Sequence, residues 1–180
     1  MKNIILGVLA ICLLSSFSLS VDFASWAISD EYQLQFDTKK ATGNFATLEG
    51  TINFDPENLE ASNFDMWVDV STIETGNKTK NKHAVGKKWF DAEQFPKITF
   101  QSTAISRQGE QYETTGTLTI RDISTPVTFP FSFTGDANSG VFEGSFSIDR
   151  KAFGLNGPAL YGGLVGKEVT VNIKVPVTIR

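Results

Sequence analysis

At 180 residues, with a formal net charge of −4, one cysteine and one histidine, the chain is long enough for one hydrophobic core. The acidic balance speaks against a nucleic-acid footprint, and a lone Cys12 excludes a disulfide framework. Stability therefore has to come from buried apolar surface, much of it supplied by the phenylalanines, 15 in the full sequence and all but Phe17 beyond residue 20.

The first twenty residues read as an export signal. Lys2 gives a short positive region, Ile4 to Leu14 an apolar stretch, and Ser18-Leu19-Ser20 places small residues where a signal peptidase reads. The apolar run is shorter than the roughly 20 residues a bilayer span needs. Ile11 stands where a lipidation motif around Cys12 would require a small residue. Cleavage after Ser20 is expected, leaving residues 21–180 as one cysteine-free domain, periplasmic or secreted, with no stable membrane insertion.

Strands are expected over residues 26–29, 32–39, 51–54, 64–70, 98–104, 112–120, 127–133, 141–148 and 169–179. The hairpin from Gly116 to Phe129 is the most informative piece. Leu118 and Ile120 alternate with threonines, a corner is expected over residues 122–126, and the alternation resumes with Val127, Phe129, Phe131 and Phe133. The last strand puts Val169, Val171, Ile173, Val175, Val177 and Ile179 on one face, and its Pro176 predicts an edge or a bulge. Turn signals lie at residues 55–58, 107–110 and 135–140. About eight antiparallel strands with short connections favour a closed up-and-down barrel over a β-sandwich, with Gly116 and Gly144 where strands must bend.

One segment breaks the pattern. Residues 77–94 hold five lysines (Lys78, Lys80, Lys82, Lys87 and Lys88) and no acid before Asp91. They predict a short helix capped by Asn77 and stopped near Phe95-Pro96, either a solvated run or a rim that receives an anionic head group.

Catalytic signatures are missing from the sequence. His83 is the only histidine, and no Ser-x-x-Lys, Gly-x-Ser-x-Gly or His-x-x-x-His spacing occurs. The lysines around His83 would repel a cation, so the chain is read as a non-enzyme with no catalytic residue, metal site or cofactor. The phenylalanines at alternating strand positions are Phe36, Phe54, Phe64, Phe100, Phe129, Phe131, Phe133, Phe142 and Phe146. They suit either a sealed core or a lipid-lined cavity.

Several pieces in order carry a family resemblance: Gly43-Asn44-Phe45, the stretch STIETGN from Ser71, Lys82-His83 followed by Trp89-Phe90-Asp91, Phe95 to Phe100, GTLTIRDISTPV from Gly116, Asp149-Arg150 with Phe153-Gly154-Leu155, and Gly166 to Ile173. The chain resembles the YceI-like family of exported bacterial proteins. The resemblance implies an all-β, antiparallel eight-stranded lipocalin-like β-barrel with one short helical insertion, binding an isoprenoid lipid of polyprenyl or quinone type. It departs from the family where Arg-Asp-x-His-Leu is common and this chain has Lys80-Asn81-Lys82-His83-Ala84.

On this reading the nine phenylalanines line the cavity. Lys80, Lys82, His83, Arg121 and Arg150 are the candidate head-group contacts. The only partner expected is the isoprenoid lipid, with no nucleic acid, and the protein is a monomer or homodimer. The alternative is a stress-response or surface-interaction module with a sealed core.

Overall fold

Alternation of apolar and polar residues along the chain becomes eleven strands among the described residues of a computed structural model, which covers residues 24–159 and 162–180. The expected export signal and its cleavage point lie outside them. The strands are β1 (Ser25–Ile28), β2 (Gln33–Asp37), β3 (Thr42–Phe45), β4 (Glu49–Asn53), β5 (Asn63–Asp69), β6 (Ile73–Glu74), β7 (Lys97–Gln108), β8 (Gln111–Ile120), β9 (Ile123–Gly135), β10 (Ser139–Asp149) and β11 (Glu168–Ile179).

Six of the eleven are halves of longer strands. β11 pairs with β2 along its first half and with β1 along its last residues, so β1 and β2 form one bent stave. β4 and β3 continue each other beside them, as do β5 and β6 beyond. Counting each pair once gives eight staves, every one antiparallel to its neighbours, with β11 returning to β1 and β2 to close the ring. The expected eight-stranded closed antiparallel barrel is the fold, and closure removes the free edges an open sheet would expose.

Four local expectations are corrected. The hairpin corner is tighter than residues 122–126: Arg121 takes a left-handed φ of 59°, and Ile120 pairs with Ile123 across a two-residue turn. The helix, α1 (Lys78–Ala84), is capped as expected, with the Asn77 side chain accepting from the Thr79 and Lys80 amides at 3.0 Å. It stops a full segment early, because Gly86 and a left-handed Asp91 (φ 51°) fold residues 85–95 back in turns. Pro176 is neither edge nor bulge. It pairs in register with Val141 and turns its carbonyl to the Ser29 amide at the break between β1 and β2, so its missing N–H faces a gap in the neighbouring stave. Finally β3 and β6, which the sequence reading passed over, complete two staves.

Gly116 does lie where a strand bends. β7 slips register between Ser102 and Ala104 opposite it, and the Phe100 ring lies so close over Gly116 that a Cβ there would overlap it. The wall also parts once. The β9–β10 ladder ends at Phe131–Gly144, while β10 stays paired to β11 as far as Asp149–Glu168. Pro126 and Pro130, four residues apart and therefore turned the same way, have no N–H to offer, and the Pro130 carbonyl abuts Gly144, so the missing donors face β10. Inside the gap Phe129 and Phe146 stack with centroids 4.3 Å apart.

An apolar cavity with a basic mouth

The two ends of the barrel are built differently. At the end closed by residues 54–62, 109–110 and 136–138, Phe54 drops onto the barrel axis at 1% exposure. Its ring meets those of Phe64, Tyr112, Phe131, Phe133 and Phe142 at centroid distances of 5.1 to 6.3 Å. The buried Trp26 Nε1 donates to the Phe54 carbonyl at 2.9 Å and holds it there. Three of these pairs, with Tyr112, Phe131 and Phe142, are edge-to-face, an arrangement that contributes about 0.5–1.5 kcal/mol each beyond simple burial. This end is a plug.

Above the plug the barrel is hollow. A cavity of about 1240 Å³ runs from Phe131 and Phe142 up to an opening framed by residues 38–41, α1 with residues 86–90, and Pro158, Leu164 and Val165. Its wall is aliphatic and aromatic: Val169, Val171, Ile173 and Val175 on β11, Leu118 and Ile120 on β8, Leu34 and Phe36 on β2. These are the inward positions of a period-two pattern, and among the described residues they face open space.

The mouth is held together by close packing between its loops. Gly157, at φ 68°, lies against the Trp89 ring, where any Cβ would overlap it, and its amide donates to the Lys88 carbonyl at 3.1 Å. Asn81, in the place where the family commonly has an acid, pins the start of the helical segment: its Oδ1 accepts from the Thr75 hydroxyl at 2.6 Å and the Thr75 amide at 2.9 Å. The Asn81 side chain and the Gly76 amide together hold the Glu74 carboxyl below its ordinary range.

Seven of the nine predicted phenylalanines line the cavity: Phe36, Phe64, Phe100, Phe129, Phe131, Phe142 and Phe146. Phe54 and Phe133 do not. Both belong to the plug, where Phe133 packs on Trp26 at 5.3 Å and covers Gly140. Lys80, Lys82 and His83 lie exposed at the mouth, and Arg150 lines the cavity beneath it.

Arg150 is 2% exposed, and its guanidinium donates to the carbonyls of Gly166 and Leu155 with its centre 5.2 Å from the Trp89 ring. Burial lowers its pKa while the neighbouring Asp149 raises it. An arginine stays protonated through such a shift, so a positive charge sits in the cavity wall while tying Leu155 to Gly166. Arg121 is a correction: it is not at the cavity. It sits in the β8–β9 turn over Phe95 at 5.3 Å, held outside by the two-residue turn itself.

Sequence reasoning missed Phe45, Trp89, Phe90 and the mouth lysine Lys40 as lining residues, and named Lys87 and Lys88 only within the basic segment. The alternation on β11 was visible and gave one apolar face, but not that this face lines a cavity. Lys40 went unseen because its loop gains meaning only once β3 is recognised.

Closed barrel, plugged floor, apolar interior and charged mouth together define a lipocalin-like barrel with an internal cavity. The chain belongs to the YceI-like domain family, whose domain matches residues 17–177. Among solved structures it is similar to BcnA of Burkholderia cenocepacia, at 26% identity and a TM-score of 0.79, covering 84% of this chain and 100% of that one. A polyisoprenoid binding domain from Saccharophagus degradans shares the fold at 13% identity and a TM-score of 0.66, covering 88% of this chain and 99% of that one. Among curated relatives, a UPF0312 protein of Yersinia pestis (strain Pestoides F) is 29% identical over 126 residues, which is 65% of this chain. The chain spans 66% of the length of that relative.

Proposed function

We propose that the hollow end holds the chain of an isoprenoid lipid, of polyprenyl or quinone type, with its polar end at the mouth beside Lys80, Lys82 and His83, and that the protein sequesters or transports this lipid without transforming it. The observation that carries this reading is the cavity. At about 1240 Å³ it exceeds the roughly 300–1,000 Å³ of ordinary small-molecule pockets, and its basic residues are gathered at one end.

A ligand of this shape needs little polar recognition. Burying about 20 of its carbons contributes on the order of 15 kcal/mol, from which ordering of the chain subtracts a sizeable share. Lysines suit the polar end because they are mobile point charges that accept a range of head groups, whereas a bidentate arginine fork would select one. Arg150, with donors engaged by its own loop, adds positive potential beneath them. Likeness in fold to the Saccharophagus domain supports the same class of ligand.

Export belongs to the proposal. The protein purified from its own cells should begin at Val21 in the soluble extracytoplasmic fraction, and an intact Met1 in the membrane fraction would overturn that part. For the ligand, mass spectrometry of the intact protein purified without detergent should show a co-purifying hydrophobic mass. After delipidation, uptake of a polyprenol or a quinone should change the fluorescence of Trp89 at the mouth. No bound mass and no uptake would leave a barrel that works through its surface.

A further inference from the structure

Charge is divided unevenly between the two ends of the barrel. The connections at the mouth, residues 38–41, 75–96, 150–159 and 162–167, carry ten lysines and arginines against two acids. Those at the plugged end, residues 54–62, 109–110 and 136–138, carry five acids and no base. On a chain of net charge −4 this makes the molecule a dipole along the barrel axis, with its positive pole around the opening. Leu164 stands on the same rim at 57% exposure, the most exposed large hydrophobic side chain among the described residues. Water rewards neither a one-sign ring of charge nor a bare leucine, whereas the headgroup region of an anionic membrane rewards both.

We propose that the mouth docks end-on against an anionic phospholipid bilayer, its basic loops on the headgroups and Leu164 in the interface, so that an apolar ligand moves between bilayer and cavity without crossing water. The exchange of ligand rests on the reading of the cavity given above; the docking stands on the charge distribution alone. It is peripheral docking, since no helix among the described residues is long and apolar enough to cross a membrane. Each lysine brought to such a surface strengthens partitioning about fivefold, so several acting together suffice for reversible attachment.

The test is flotation of the purified protein with vesicles of phosphatidylcholine alone and of phosphatidylcholine mixed with phosphatidylglycerol. Binding is expected to the mixed vesicles only, and it should fade as salt shortens the screening length from about 10 Å at 0.1 M to about 3 Å at 1 M. Lys39 and Lys167 are exposed at this end but lie outside the cavity lining. The double variant Lys39→Glu/Lys167→Glu should lose binding at least about tenfold, and Leu164→Asp should lose it too. The lysine double variant should keep the unfolding midpoint and the co-purifying lipid mass of the parent, and Leu164→Asp, whose side chain also borders the cavity, should keep the unfolding midpoint. Equal flotation with both vesicle types, or with neither, overturns the docking. A protein that floats but carries no lipid keeps the docking and overturns the cavity reading; one that carries lipid but never floats does the reverse.

Discussion

The plugged and the hollow halves of this barrel are written in the same alternating code, yet one is solid and the other empty. The difference comes from one side chain and one gap. Phe54, supplied by a connection and not by a stave, reaches the axis and lets five neighbouring rings close around it. At the other end the rings that the described connections supply, Trp89 and Phe90, line the cavity without filling it, and β9 parts from β10. Inward-facing apolar residues on strands therefore do not by themselves say whether a barrel is filled. What its loops send into the interior decides.

This contrast can be broken at several strengths. The largest effect is expected from Phe54→Ala, which should cost about 3–5 kcal/mol in urea unfolding of the delipidated protein, as large cavities in packed cores do. Phe146→Ala, in the hollow half, should cost about 1 kcal/mol, the loss of one ring stack without the collapse of a packed site. Equal losses at the two positions would mean that the division into plug and cavity is wrong.

Next, Val171→Trp should fill part of the hollow half. Uptake of the longest isoprenoids should fall about tenfold while stability changes by less than about 1.5 kcal/mol, because the added ring enters empty space. A titration of polyprenols of graded length measures it, and a uniform loss for short and long chains alike would point to misfolding.

At the mouth, Lys80→Glu together with Lys82→Glu should weaken a polyprenyl pyrophosphate about tenfold, leave the matching alcohol nearly unaffected, and flatten the salt dependence that remains. Identical behaviour of the two ligands would remove these lysines from the head-group site.

The smallest effect belongs to the plugged end. Asp136 accepts from the Asn138 amide at 2.7 Å and the Ser139 amide at 3.0 Å, and these bonds hold its carboxyl below the ordinary aspartate range. A depressed carboxyl stabilises the fold above its unfolded pKa, near 3.9, and loses that contribution as pH falls through the lower folded value. Hydrogen exchange at Asn138 and Ser139 should therefore quicken below about pH 4 relative to the rest of the β9–β10 hairpin. A loss of protection that begins near neutral pH would contradict it.

The barrel itself was legible because strand periodicity and short turns are local properties. β11 and the β8–β9 hairpin announced themselves, as did the Asn77 cap. Breaks within staves were not legible: β3 and β6 are short, and they are strands only because β2 and each other lie alongside. Assignment of Phe54 and Phe133 to the cavity failed for a related reason, since alternation gives the face of a side chain but not its height along the axis. Arg121 was misplaced because its two-residue turn carries it away from the opening, a geometry that the following Asp122 to Pro126 run had suggested would be wider.

The prolines that part β9 from β10 have a consequence for how the molecule behaves in a crowd. A wall that opens leaves two strand edges without partners, and such edges recruit strands from other copies. On β9 the recruiting face lacks its donors at Pro126 and Pro130, so an incoming strand finds carbonyls but not the alternating ladder it would need to pair. The same two residues that part the wall thereby guard its opening against edge-to-edge growth.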